Sequence, residues 1–352
     1  MRRALELAER GRLSAHPNPM VGCVIVRDGQ IVGEAYHREF GGSHAEVLAV
    51  EAAGGDVEGA TIYVTLEPCS HHGKTPPCAD FLIDHKPGRV VAAMQDPNPL
   101  VAGGGVEKLR AAGIRVDIGC LEEQARRLNE VFVKFVTTGM PFVIAKCAMT
   151  LDGKIATRSG HSQWVTGETA RAKVHELRNQ VDAILVGSRT VMMDDPSLTT
   201  RLSVGPGHDP IRVILDAGEY LDDACKVFHV ESEAPTWVAC TKQREYKGAD
   251  GMLRVKDGPG GVDMRELVQV LGERGITSLL IEGGGTTLAS AFEAGLVDKV
   301  MFFIAPKICG GASAVTPVEG KGVEFMSDAI MLRDMKVAPV GEDWLVEAYV
   351  DK

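Results

Sequence analysis

No apolar run in this sequence approaches the roughly 18 residues that a membrane-spanning helix needs. Residues Met1 to Arg10 carry charges throughout, so the uninterrupted apolar stretch of a secretory signal is missing too; the segment reads as the first turns of an amphipathic helix. Positive charge is in deficit: 38 Lys and Arg stand against 48 Asp and Glu, for a formal net charge of −10. Both halves are acidic on either side of Gly139-Met140-Pro141. A protein that grips a nucleic-acid backbone carries a positive face, because phosphate neutralisation dominates that affinity. Aromatic residues make up 5% of the chain, too few for a row of base-stacking platforms. The partner expected is therefore a small molecule, with no nucleic acid and no membrane. Eight cysteines in 352 residues are too sparse for a disulfide scaffold, and their positions in strands and at helix starts suit reduced thiols in the cytoplasm. The length suggests two domains, each large enough for its own core.

What the chain does have is a metal-ligand pattern near its start. His44-Ala45-Glu46 is followed by Thr65-Leu66-Glu67-Pro68-Cys69, and Cys78 comes nine positions later. One imidazole and two thiolates leave a tetrahedral zinc ion with one open position, the arrangement of a catalytic rather than a structural site. Glu46, two residues from the first ligand, suits a carboxylate that relays protons. Zinc deaminases of amino-heterocycles use this order: His-x-Glu, then Pro-Cys and a further Cys, with the Glu not a ligand. Their usual spacing is Cys-x-x-Cys, so the loop here is enlarged, and His71 and His72 within it read as substrate-facing or loop-packing groups.

The first half alternates strands and helices. Val21 to Val26 and Ile31 to Glu34 flank Asp28-Gly29 as a hairpin. Helices are expected over 44–53, from Pro76-Pro77-Cys78 to about His85, and over 106–111. Further strands are expected over 60–65, 89–94 and 114–118. Together they predict a three-layer α/β/α domain over 1–140. Residues i and i+2 of a regular helix point about 200° apart. His44 and Glu46 can therefore converge only if His44 sits at the cap. Cys78, at a helix start, is expected to ionise with help from backbone N–H groups.

The second half, 141–352, also alternates. Strands are expected over 141–150, 183–187, 211–216, 236–240, 278–282 and 299–305, with a helix over about 169–178. At Ser278-Leu279-Leu280-Ile281-Glu282-Gly283-Gly284-Gly285 an apolar strand runs into glycines and a helix, a pattern that lets backbone N–H groups approach phosphate. Gly103-Gly104-Gly105 reads instead as a loop and helix entry.

His16-Pro17-Asn18-Pro19, the zinc motif with its long Cys69-to-Cys78 loop, and Gln95-Asp96-Pro97-Asn98-Pro99 closely resemble the bifunctional deaminase–reductases of riboflavin biosynthesis. Lys146 to Gly153, Ser162-Gln163-Trp164, Asp194-Asp195-Pro196 and Glu282 to Gly285 are similar to the reductase domain of that family. The resemblance covers essentially the whole chain. It implies a cytidine-deaminase-like domain followed by a dihydrofolate-reductase-like α/β domain that uses NADPH. It implies zinc on His44, Cys69 and Cys78, with Glu46 as proton shuttle. Asn18, His37, Lys74 and Asn98 would line the pyrimidine and ribose-phosphate pocket, Lys74 as a flexible cation. Met149, Trp164, Thr190, Asp194 and the run from Gly284, Gly285, Thr286 and Thr287 to Ser290 would lie along NADPH. Ser162, Arg178, Leu198, Arg201 and Glu282 would contact substrate, the two arginines as forks for its phosphate. Asp152, Lys146 and Glu282 are the candidates for a general acid. The implied substrate is 2,5-diamino-6-(5-phosphoribosylamino)pyrimidin-4(3H)-one, and a homo-oligomer is expected. Met149 is bulkier than the family pattern, and Thr286-Thr287 departs slightly from its glycine loop. Rival readings are a deaminase acting on RNA, a zinc-stabilised binding module without catalysis, and a chain with one active domain.

Overall fold

A computed structural model describes residues 1–71, 76–99, 101–242 and 244–352. The chain divides into two compact units, Met1–Gly139 and Met140–Lys352.

The first unit runs α1 (Arg2–Glu9), β1 (Gly22–Arg27), β2 (Gln30–Tyr36), α2 (Ala45–Ala52), β3 (Thr61–Val64), α3 (Cys78–Asp84), β4 (Arg89–Ala92), α4 (Gly104–Ala111), β5 (Arg115–Ile118), α5 (Glu122–Leu128) and α6 (Glu130–Thr138). Its five-stranded sheet has the order β2-β1-β3-β4-β5. The β1–β2 and β1–β3 pairs are antiparallel; β3, β4 and β5 are parallel. The hairpin turns at Asp28 (φ 51°) and Gly29 (φ 78°), the double positive φ that makes Asp-Gly a hairpin signal. Strand alternation assigns the two faces. Cys23 and Ile25 join α2, α3 and α4 residues such as Ala49, Leu82 and Leu109 in one core. Val24 packs on the other side with Ala4 and Leu7 of α1. Helices thus cover both faces, and the three layers expected from sequence are present.

Glycine fixes how closely α2 lies on the sheet. A Cβ on Gly33 of β2 would stand 2.3 Å from the Ala49 carbonyl oxygen and 2.8 Å from the Ala53 Cβ. That approach seats the C-terminal half of α2 directly on β2.

The second unit runs β6 (Phe142–Thr150), α7 (Glu168–Arg178), β7 (Ala183–Gly187), α8 (Ser188–Asp194), β8 (Ile211–Leu215), β9 (Thr236–Cys240), β10 (Gly251–Arg254), β11 (Asp257–Gly258), β12 (Gly261–Val262), α9 (Met264–Glu273), β13 (Ser278–Gly283), α10 (Gly285–Glu293), β14 (Lys299–Ala305), β15 (Leu332–Val340) and β16 (Asp343–Val350). Nine strands form one sheet in the order β10-β9-β8-β7-β13-β6-β14-β16-β15. It is parallel from β10 to β14, and β16 and β15 add an antiparallel margin. Leu185 and Ile281 pack into a core with α9 and α10, while Ile184 and Val186 face a second core with Val191 and Leu221. Continuous apolar strands such as Ala183-Ile184-Leu185-Val186 are what burial on both faces requires.

Several elements go beyond the sequence reading, among them α8, β10, β11, β12 and α9, which occupy stretches where none was expected. Helices α5 and α6 occupy 122–138, where no element was expected; α6 has no fully buried residue. The β15–β16 hairpin was not foreseen either. Almost every side chain of β15 is exposed, which leaves no alternation to read. Among the described residues no helix is long and apolar enough to cross a membrane.

Candidate active sites

His44 is the N-cap of α2, with extended backbone (φ −72°, ψ 162°), and Glu46 lies in the first helical turn. The cap geometry meets the condition set by helix periodicity and turns both side chains into one cavity of about 320 Å³. Cys69 follows the end of β3, and Cys78 opens α3. The His44 Nδ1 lies 3.2 Å from Cys78 Sγ and 3.6 Å from Cys69 Sγ. All three ligand atoms fall within 4.8 Å of one another. Zn–N near 2.05 Å and Zn–S near 2.3 Å at a tetrahedral angle give an N-to-S edge of roughly 3.6 Å. The donor set therefore fits zinc in both chemistry and size.

The electrostatics differ from the expectation for Cys78. Its helix-start N–H does stabilise a thiolate, but the acceptor is Cys69 Sγ at 3.3 Å. Cys69 is held well below the ordinary thiol range, first by a hydrogen bond from the Cys78 thiol and then by one from His44. Cys78 is pushed up, because it donates to Cys69 and is buried. The Cys78 N–H thus favours negative charge on Cys69. His44 is raised by its hydrogen bond to Cys69. Glu46, only 4% exposed, is pushed up to about 7 by burial and next by the charge on Cys69. A carboxyl poised there exchanges protons readily at neutral pH.

Asn18, His37 and Asn98 line the same cavity. Asn18 Nδ2 lies 3.0 Å from His37 Nε2, and His37 Nδ1 lies 3.1 Å from the Ser43 carbonyl. The carbonyl fixes the proton on Nδ1, so Nε2 accepts from the Asn18 amide. Burial lowers the His37 pKa and keeps this ring neutral. Lys74 and His72 lie outside the described residues; His71 lines the cavity. Sequence reasoning gave no role to Glu67, Asp96 or Phe132, which also line it.

In the second unit a cavity of about 440 Å³ lies over the C-terminal ends of the central parallel strands, where an α/β sheet binds ligands. Trp164, Thr190, Asp194 and Gly284 line it, as do Ser162, Arg178, Leu198, Arg201 and Glu282. The structure thus gathers most of the expected cofactor and substrate residues in one place. Met149, Gly285, Thr286 and Thr287 are not on its wall. Met149 packs against the core, the Gly285 Cα faces Thr316 and Glu319, Thr286 Oγ1 donates to Glu319 Oε2 at 2.9 Å, and Thr287 is buried.

Gly283 and Gly284 present backbone to the cavity, Gly283 at φ 133°, a region only glycine occupies readily. Gly284 is the N-cap of α10, so side-chain-free backbone and a helix start meet there. Trp164 offers a ring that is 62% exposed, with the Arg171 guanidinium 4.4 Å from its centroid. A glycine cradle, a helix start and an open ring fit a dinucleotide cofactor.

Glu282 stands at the end of β13 between two cations. Arg178 donates to both of its carboxylate oxygens, and Lys146 Nζ lies 3.5 Å away. Arg178 also donates to the Thr199 carbonyl at 2.9 Å. Three of its N–H groups are thereby committed inside the protein, whereas Arg201 is exposed at the cavity. Asp152, a general-acid candidate, holds a loop instead: it accepts from Thr150 Oγ1, Cys309 N and Gly310 N. His175 was missed. Its Nδ1 accepts the Arg201 backbone N–H at 3.2 Å. Burial, then Arg178 and Arg201, lower its pKa to about 4.

These features define a two-site enzyme: a zinc-type deaminase of amino-heterocycles followed by a reductase of dihydrofolate-reductase-like fold. Residues 1–94 match the family model described as the cytidine and deoxycytidylate deaminase zinc-binding region, and residues 141–346 match that of the RibD C-terminal domain. The chain is 44% identical over 357 residues to the riboflavin biosynthesis protein RibD of Actinobacillus pleuropneumoniae, covering 99% of this chain and 94% of that protein. It is 44% identical over 356 residues to RibD of Escherichia coli, covering 97% and 96%. Among solved structures, Acinetobacter baumannii RibD superposes with a TM-score of 0.88 at 38% identity, covering 100% of this chain and 98% of that one. The diaminohydroxyphosphoribosylaminopyrimidine deaminase/5-amino-6-(5-phosphoribosylamino)uracil reductase of Thermotoga maritima gives 0.88 at 39%, covering 100% and 97%. The chain belongs to the RibD family, and is a bifunctional deaminase and reductase of riboflavin biosynthesis. Its reductase domain belongs to an NADPH-dependent class.

Proposed function

We propose that residues 1–140 hydrolyse the 2-amino group of 2,5-diamino-6-(5-phosphoribosylamino)pyrimidin-4(3H)-one. Residues 141–352 then reduce the ribosyl group of the product to ribityl. The observation that carries this reading is the convergence of His44, Cys69 and Cys78 beside buried Glu46 in one cavity.

His44, Cys69 and Cys78 would hold zinc. The metal, when bound, supplies Lewis acidity that makes water a nucleophile near neutral pH. Glu46 takes a proton from the attacking water and delivers it to the departing amino nitrogen; its pKa of about 7 supports both transfers. Neutral His37 and the Asn18 amide it orients present polar atoms to the pyrimidine, with Asn98 toward the ribose phosphate.

In the second unit, Trp164, Thr190, Asp194 and the backbone at Gly284 would hold NADPH, which would supply hydride for the reduction of the sugar. Ser162 hydrogen-bonds Asp194 at 2.7 Å and links the substrate and cofactor ends of the cavity. Arg201 meets the substrate phosphate. Arg178, engaged with Glu282, orients that carboxylate toward substrate, and Lys146 is the cation that faces the reduction site. Leu198 closes the apolar side.

The eight cysteines are free thiols, which supports a cytoplasmic location. Edge strand β15 exposes Leu332, Met335 and Val337, which supports pairing with a second copy of the chain. The test of function is an assay with the diaminopyrimidine substrate and NADPH, scoring ammonia release and NADPH oxidation separately. Both signals are expected, ammonia first; absence of ammonia release from zinc-replete protein overturns the reading.

A further inference from the structure

Glu67 lies two residues before the ligand Cys69, yet it does not face the ligand atoms. Its side chain is 4% exposed and forms part of the cavity wall, with its carboxylate taken up by main-chain donors. Oε2 accepts the backbone N–H of Asp96 at 3.1 Å and of Gly103 at 3.0 Å. Oε1 accepts those of Gly105 at 3.0 Å and Val106 at 3.1 Å. One carboxylate thus receives four main-chain donors from two separate segments, the loop after β4 and the start of α4. It acts as an internal anion: the donors and the helix dipole balance its charge.

The consequence reaches the cavity. Asp96 Oδ1 accepts the Asn98 N–H at 2.9 Å, and both side chains line the cavity. The Glu67 backbone N–H donates to the Met94 carbonyl at 3.0 Å, so this residue is tied to the same loop at both ends. On the other side, a Cβ at Gly105 would stand 1.8 Å from the Pro68 carbonyl oxygen, which seats α4 directly on the segment that leads into Cys69. Glu67 therefore sets the distance between the metal-bearing segment and the wall at Asp96 to Asn98.

We infer that Glu67 is a positioning residue for the deaminase, holding the Asp96–Asn98 wall at the spacing the pyrimidine substrate needs. This rests on the deaminase reading above. Glutamine in its place turns an NH₂ group toward two of the four donors, leaving them unpaired. Aspartate keeps both oxygens but reaches less far.

The experiment compares wild type, Glu67→Gln and Glu67→Asp in the ammonia-release assay, with zinc content and thermal unfolding measured on the same samples. For Glu67→Gln, KM is expected to rise roughly ten-fold, with kcat lowered less than about three-fold. Zinc stays at the wild-type level. Glu67→Asp is expected to fall between the two, a partial rescue. Unchanged KM in both variants overturns the inference. So does loss of zinc or of the folded first unit in both, because Glu67 would then be a structural support alone. An inactive wild type instead marks failure of the deaminase reading, and NADPH oxidation with supplied deaminated substrate shows whether the second site is intact.

Discussion

Arg178 and Glu282, 104 residues apart, meet in a two-point contact: Arg178 Nε lies 2.6 Å from Oε1 and Nη2 lies 2.9 Å from Oε2. The pair joins the C-terminal end of α7 to the end of β13. Burial alone would raise the Glu282 pKa; the Arg178 and Lys146 charges outweigh it and hold this carboxyl at about 2.

Removing one partner of such a buried pair leaves an uncompensated charge. Glu282→Gln is expected to destabilise the second unit by about 3–5 kcal/mol. Replacing Arg178 and Glu282 together with apolar residues should recover part of that loss. Calorimetric melts of the single and double variants check this, and equal losses in both would contradict it.

The same carboxyl gives a pH signature. The Glu282 pKa is depressed in the folded state from an ordinary 4.5 to about 2, so the native form binds fewer protons than the unfolded chain between those values. Its contribution to stability is complete above pH 4.5 and is lost as pH falls toward 2. The difference in melting temperature between wild type and Glu282→Gln should stay level above about pH 5 and narrow on acidification. A gap that widens in acid would contradict it.

Glu46→Gln removes the proton carrier and spares the ligands. Ammonia release should fall by about 10²–10⁴-fold. Zinc content and NADPH oxidation with supplied deaminated substrate should remain at wild-type levels. Near-normal deamination would remove Glu46 from the mechanism.

Cys69→Ser takes away the sulfur that receives the Cys78 N–H. Zinc stoichiometry and deamination should be lost together while reduction continues; metal analysis alongside the two assays measures this. Chelation of wild type should reproduce the pattern, and restored zinc should reverse it. Reduction lost in step with zinc, in folded protein, would argue against independent sites.

Much of this was legible in the sequence because the information was local. The position of His44 followed from helix periodicity, since His-x-Glu can converge only across a cap, and His44 is that cap. The Asp28-Gly29 hairpin and the β13–glycine–α10 junction were readable for the same reason. The direction of thiol ionisation was not: it depends on which sulfur receives the Cys78 N–H, a matter of where α3 stands relative to β3. The role of Glu67 was hidden because its four donors lie 29 to 39 residues away and are all main chain, so no side-chain partner marks them. Arg178 was read as a phosphate fork because a motif names the residue and not its neighbour; Glu282 takes that fork in space. Strand β15 escaped because almost all of its side chains are exposed, so no buried face alternates with an exposed one.

The strand order of the second unit bears on how the chain matures during synthesis. β13 lies between β6 and β7, so the centre of that sheet stays open until residue 283 has left the ribosome. The first unit has all its strands by residue 118. Translation thus exposes β6 and β7, two apolar edges without their middle partner, for about 100 residues of elongation, several seconds or longer at cellular rates. During that interval the nascent second unit is the aggregation-prone part of the molecule. Ribosome-associated chaperones are expected to engage it there, and the N-terminal unit is expected to be already native.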